Sequence, residues 1–223
     1  MTEAESPFPS SATEQPIVLV VEDDSSIRGA LRRLFGTVGQ QVQTYGSAAE
    51  LLQSELPDAP RCLVLDIRLP GRSGLDLQAE LARNGTQIPI IFMTGHGDIP
   101  MAVQAMKAGA SDFLTKPFRD QDMLDAVAAA LELDRARRTQ SKALDRLRVR
   151  FASLTARERD VMMLATDGLM NKQIAWELGV SEMTVKMHRG HVMRKMDARS
   201  IAELVRMADS LKVRGSDPSP LQT

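Results

Sequence analysis

Four short strand-like runs, each stopping at a polar or charged residue, constrain this 223-residue chain more than any other feature. Cys62-Leu63-Val64-Leu65 has the unbroken apolar character of a strand buried on both faces, and it ends at Asp66, just ahead of a Pro70-Gly71 turn signal. Ile17-Val18-Leu19-Val20-Val21 ends in Glu22-Asp23-Asp24, Ile90-Ile91-Phe92-Met93 in Thr94-Gly95, and Asp112-Phe113-Leu114-Thr115 in Lys116-Pro117. Segments with helical apolar spacing separate them. The pattern predicts strands over 17–21, 41–45, 62–65, 90–93 and 111–114, alternating with helices over 25–38, 48–54, 74–83, 99–108 and from 121. A fivefold strand-helix repeat of this kind folds as a doubly wound parallel α/β sheet with helices on both faces. Ligands bind outside the carboxyl ends of the strands in such sheets. That rim gathers an acidic cluster, an aspartate, a hydroxyl and an ammonium.

A lone aspartate at a strand end is as readily a loop cap as a reactive group. Here it has company. Asp23 and Asp66, joined by the backbone carbonyl of Arg68, offer the hard oxygens that Mg²⁺ prefers. Thr94 and Lys116 supply a donor and a positive charge for developing negative charge on phosphoryl oxygens. Glu22-Asp23, Asp66, Thr94 and Lys116, with their Thr-Gly and Lys-Pro-Phe contexts, resemble the receiver domain of two-component response regulators, in which an aspartate accepts a phosphoryl group from a histidine kinase. The resemblance implies a flavodoxin-like five-stranded sheet of order 2-1-3-4-5, Asp66 as phosphoacceptor, Glu22 acting on the metal through water, and a cis Lys116-Pro117 bond. It also implies a switch in which Thr94 moves and the aromatic Phe113 follows, although Phe113 reads equally well as core. Asp24 reads as a helix N-cap. Arg68 and His96 flank the site, where they would tune hydrolysis of an acyl phosphate.

From 120 to 150 the chain has no Gly or Pro and many strong helix formers, so the last helix of the first domain is expected to run on as an exposed connector. Residues 151–209 read as four helices. Thr155 and Glu158 form a capping box, Asn171 is the expected N-cap of the second helix, Gly179 makes the turn, and Ser181 caps the third. This half resembles the LuxR-type helix-turn-helix, in its FixJ-like branch. At 100° per residue Val185, Val192 and Met196 share the inward stripe of the third helix. Lys186, Met187, Gly190 and Arg194 fall opposite and are expected in the major groove, with Thr184 beside them. Arg189, near the buried edge, and Lys172, opening the second helix, are expected on phosphates. His188 and His191 show no acidic or cysteine companion at ligand spacing, so a packed or phosphate-contacting role is expected. Trp176 reads as helix packing.

Charge and composition narrow the function classes. Residues 16–120 hold ten basic and twelve acidic side chains, and residues 151–214 eleven and eight, so the second half is the more basic. The single cysteine, Cys62, lies within a strand, reads as a small buried hydrophobe and permits no disulfide within one chain. No apolar run is long enough to span a bilayer, and the acidic, Pro/Ser-rich start does not resemble a signal peptide. A cytoplasmic location without a membrane partner is expected. The domain reading is a disordered tail over 1–15, a receiver over 16–130, a helical linker over 131–150, the helix-turn-helix over 151–212 and a disordered tail over 213–223. The resemblance implies a phosphorylation-activated transcription regulator rather than an enzyme. Its partners would be a cognate histidine kinase, double-stranded DNA, RNA polymerase and, once phosphorylated, a second copy of itself. That dimer would form through the face of the fourth helix, fifth strand and fifth helix, with Met101, Gln104, Ala105, Lys107, Phe113 and Leu114 in the region. Two rivals are a phosphohydrolase with an aspartate nucleophile, disfavoured because Arg68 stands where its second acid-base aspartate belongs, and a regulator whose output domain binds protein or RNA.

Overall fold

The computed structural model describes residues 15–95 and 99–211. The chain divides into two compact units, split between Arg138 and Thr139. The expected disordered tails and His96 lie outside the described residues, apart from Gln15. In the first unit strands and helices alternate as β1 (Ile17–Val21), α1 (Ser25–Thr37), β2 (Gln41–Tyr45), α2 (Ala48–Gln53), β3 (Arg61–Asp66), α3 (Gly74–Arg83), β4 (Ile90–Thr94), α4 (Ile99–Lys107), β5 (Asp112–Thr115) and the beginning of α5 (Asp120–Ala152). The five strands are parallel and lie in the order β2-β1-β3-β4-β5.

Strand position explains strand composition. β1 and β4 are buried along their whole length and β3 from Cys62 onward, whereas the edge strand β2 alternates exposed and half-buried positions, which is why it carries Gln41, Gln43 and Thr44. Alternate side chains feed two cores. Leu19, Val21, Leu63, Leu65 and Phe92 pack with Leu51, Leu77, Leu81 and Ala105 on one face. Val18, Val20, Val64, Ile91 and Met93 pack with Leu31, Phe35, Met123, Val127 and Leu131 on the other. Each large apolar side chain buried in this way contributes about 1.5–3 kcal/mol. Cys62 is fully buried, and desolvation pushes its thiol pKa far up, so it stays an inert hydrophobe.

The helix α5 is unbroken over 33 residues, but the expected connector needs correction. Asp134 is fully buried; its Oδ2 accepts from the Arg61 backbone N–H at 2.9 Å and its other oxygen pairs with Arg137, while Arg138 pairs with Asp58. Ionic and backbone groups near the start of β3 thus hold α5 to the first unit as far as Arg138. Leu147 and Phe151 in turn pack into a core of the second unit. Residues 139–146, between these two anchored stretches, are largely exposed.

The second unit adds α6 (Ala156–Thr166), α7 (Asn171–Leu178), α8 (Glu182–Met196) and α9 (Ile201–Leu211). Thr155 and Glu158 make the expected capping box, and Gly179 ends α7 with φ 64°. Ser181 Oγ accepts the Thr184 N–H at 3.1 Å at the head of α8. Two expectations fail. Met170, not Asn171, is the N-cap of α7; its N–H donates to Gln173 Oε1 at 2.8 Å, while Asn171 is the first helical residue. Trp176 does not pack: it is 84% exposed, because Ile174 and Ala175 fill the inward face of this short helix.

Candidate functional site

Parallel register aligns the strand ends. Val21 pairs with Leu65, Asp66 with Met93, and Thr94 with Thr115, so Glu22, Asp66, Thr94 and Lys116 emerge on one rim. Asp66 and Thr94 are the last residues of their strands, one position further into the sheet than the apolar runs indicated. Glu22, Asp66 and Thr94 are buried, while Asp23 is exposed. Lys116 Nζ lies 2.6 Å from Asp66 Oδ2 and 2.5 Å from Glu22 Oε2, bridging the two acids. The Lys116 N–H also donates to the Thr94 carbonyl at 2.7 Å, and the Lys116-Pro117 bond is cis. Asp66 Oδ1 accepts from the Arg68 N–H at 2.8 Å.

Burial is the largest influence on Glu22 and holds its carboxyl above the usual range, with the Asp66 charge adding to it and the Lys116 hydrogen bond opposing it. Burial also works against the Lys116 ammonium, but hydrogen bonds to Asp66 and Glu22 outweigh it and its pKa is raised. Carboxylate oxygens of Glu22, Asp23 and Asp66 lie within 4.8 Å of one another. This all-oxygen set fits a hard divalent cation such as Mg²⁺. Asp24 caps α1, its Oδ1 accepting from Ser26 at 2.7 Å and Ile27 at 3.3 Å. Phe113 is half-buried and packs against the first core, leaving both of its sequence readings standing.

In the second unit, α8 buries Val185, Val192 and Met196 and exposes Lys186, Met187, Gly190 and Arg194 on the opposite stripe. Met183, 73% exposed, extends that stripe by one turn and was missed. A Cβ placed on Gly190 would meet nothing within 4 Å. Thr184 is half-buried, with Oγ1 2.9 Å from Ser181 Oγ, so it serves the cap rather than the exposed stripe. Arg189 is also half-buried; its Nη1 donates to Asn171 Oδ1 at 2.8 Å, fastening α8 to the start of α7. Lys172 is exposed in the first turn of α7, and Trp176 follows one turn later on the same face. A basic helix packed as the second of a helix-turn-helix pair has the form that enters the major groove.

Comparison with known proteins decides the family. Residues 18–128 match the family described as "Response regulator receiver domain", and residues 152–208 match "Bacterial regulatory proteins, luxR family". Nodulation protein W of Bradyrhizobium diazoefficiens is 57% identical over 211 residues, covering 95% of this chain and 93% of that protein. The chain belongs to the two-component response regulators. Its output domain is of the LuxR type, and it is a DNA-binding transcription regulator. The transcriptional regulatory protein FixJ of Azorhizobium caulinodans is 45% identical over 191 residues, covering 86% of this chain and 90% of that one. The solved structure of the response regulator StyR matches with a TM-score of 0.80 at 49% identity, covering 87% of this chain and 98% of that one.

Several contacts that shape this regulator's sites were not evident in the sequence. Arg28 Nη1 donates to the carbonyls of Glu22 at 2.6 Å and Asp23 at 2.8 Å, fixing the acidic loop from one turn into α1. Gly74 lets the first turn of α3 touch the end of β3, since a Cβ there would lie 2.4 Å from the Asp66 carbonyl oxygen. Glu158 is buried on α6, where its Oε2 meets Lys195 Nζ at 2.6 Å and the Thr155 N–H at 2.8 Å. The Lys195 hydrogen bond is the main reason its carboxyl is held down at about 2. The Thr155/Glu158 cap was legible in sequence, but the Lys195 bridge joins residues from two helices and was not.

Proposed function

We propose that this regulator accepts a phosphoryl group from a cognate histidine kinase on Asp66, and that the modified form dimerises and binds specific DNA to control transcription. The carrying observation is the single ammonium of Lys116 bridging Asp66 and Glu22 beside the buried Thr94. An Asp66 carboxylate oxygen attacks phosphorus, an O–P bond forms, and the N–P bond to the kinase imidazole breaks with its electron pair passing to nitrogen. Asp23, Asp66 and the Arg68 carbonyl, with Glu22 through water, would hold Mg²⁺, whose chemistry is to neutralise the phosphoryl oxygens and the crowded acids. Lys116 turns from the carboxylates to a phosphoryl oxygen, and Thr94 donates to another. Phe113 follows Thr94.

On the output side, Lys186, Met187, Gly190 and Arg194 face base edges, Lys172 and Arg189 hold phosphates, and Thr184 stands at the margin through the head of α8. A dimer presents two recognition helices, which multiplies affinity through effective concentration. Its receiver face is α4, β5 and α5. Within α4, Pro100, Val103, Gln104, Met106 and Lys107 are exposed, whereas Ala105 is buried. DNA-bound and cytoplasmic, the dimer would act on RNA polymerase. The reaction is one transfer onto the protein itself, not turnover of a substrate. In the direct test, the full-length chain with Mg²⁺ and phosphoramidate should gain one hydroxylamine-sensitive label at Asp66, absent from Asp66→Asn. A label that persists in Asp66→Asn contradicts the assignment.

A further inference from the structure

We propose that Glu158, His188 and His191 form a second metal site, on the DNA-binding unit, for a divalent transition ion of borderline softness such as Zn²⁺. One ligand atom from each of the three lies within 4.8 Å of the others. His188 and His191 sit three residues apart on α8, with ring centroids 6.4 Å apart in an edge-to-face arrangement. Their companion comes from the first turn of α6, about thirty residues upstream, which is why spacing along the sequence concealed it. Glu158 uses Oε2 for Lys195 and Thr155, leaving Oε1 on the side of His191, 3.5 Å from its Nδ1. A metal can therefore join Oε1 without displacing the Lys195 bridge.

Two further observations point to a ligand. Nδ1 of His188 is buried without a hydrogen-bond partner among the described residues, a costly state for a ring nitrogen that metal coordination or a tautomer-fixing partner relieves. The His191 side chain is 39% exposed, so an ion has a way in and room for water in its remaining position. Two imidazoles and one carboxylate favour zinc, copper or nickel over magnesium. The receiver cluster, all oxygen, has the opposite preference. One chain thus carries two sites of different chemistry, and the second joins α6 to the recognition helix.

The test is calorimetric titration of metal-stripped full-length protein with ZnCl₂ under saturating Mg²⁺, with the imidazole proton signals of His188 and His191 followed by NMR. The expected result is one equivalent bound with a Kd on the order of micromolar, with both imidazoles shifting together. His191→Ala, at a partly exposed position, should weaken binding by about tenfold or more, while His96→Ala should leave it unchanged. Glu158→Gln should also weaken it, and should keep the Thr155 cap through its amide oxygen. Zinc binding that survives His191→Ala at full affinity, or that depends on His96 instead, overturns the proposal, as does the absence of binding at submillimolar Zn²⁺.

Discussion

Lys116 is held between two carboxylates, and that arrangement sets the chemistry available at the rim. It offsets the repulsion between two adjacent buried acids in the resting protein, and under the proposed function it is the group that reorients when a phosphoryl group arrives. The positions of its partners depend on Gly74, whose missing side chain lets α3 close onto the end of β3. Gly74→Ala would drive a Cβ to 2.4 Å from the Asp66 carbonyl oxygen, so the backbone must shift. The expected cost is about 1–3 kcal/mol of receiver stability, together with slower labelling of Asp66 by phosphoramidate. Denaturant unfolding and labelling rate measure the two effects. An Ala variant with unchanged stability and rate would show that the approach is not needed.

Glu158 carries a pH dependence of definite sign. Its folded pKa of about 2 lies below the ordinary 4.5, so its contribution is present above pH 4.5 and disappears as pH falls from about 4.5 to about 2. Glu158→Gln should lose about 1–3 kcal/mol at neutral pH. The gap from wild type should narrow across that acidic window, as read by unfolding curves reported by the His188 and His191 signals. A gap independent of pH would place the stabilisation elsewhere.

At the scale of elements, the proposed DNA contacts are divided between α7 and α8. Lys172, exposed at the head of α7, is assigned to phosphate under that proposal, and Lys186 lies on the exposed stripe of α8. Lys172→Ala should weaken all DNA sequences about equally and reduce the salt slope by about one unit, whereas Lys186→Ala should cost about 1–3 kcal/mol and relax sequence preference. Binding titrations across salt with matched and scrambled duplexes distinguish them. The same elements mark how far the sequence was legible. The stripe of Val185, Val192 and Met196 was readable because helical periodicity is local. The exposure of Trp176 was not, because a short helix needs few inward residues and Ile174 and Ala175 suffice. Nor was the cap of α7, where the Gln173 side chain serves the Met170 N–H although Met170 itself has no capping oxygen.

For the whole molecule, the α/β topology was legible from the run of buried strands, and the rim residues from the point where each run stops. What remained hidden depends on side-chain contacts that only the folded backbone sets: Arg28 reaching back five and six residues to the acidic loop, Asp134 under the start of β3, Glu158 beside His188 and His191. These contacts follow no periodicity. They require the fold first. The continuous α5 is likewise explained by packing at both ends, with Asp134 engaged in the first unit and Leu147 and Phe151 in the second. The central claim is that the state of Asp66 sets the affinity for DNA. Its most direct test is the equilibrium affinity of the full-length chain for a duplex it selects from a random pool, with and without beryllofluoride and Mg²⁺. The account predicts binding tighter by about tenfold or more, a change of about 1.4 kcal/mol, in the wild type and none in Asp66→Asn. Equal affinity in both states of the wild type, or a gain that persists in Asp66→Asn, would contradict it.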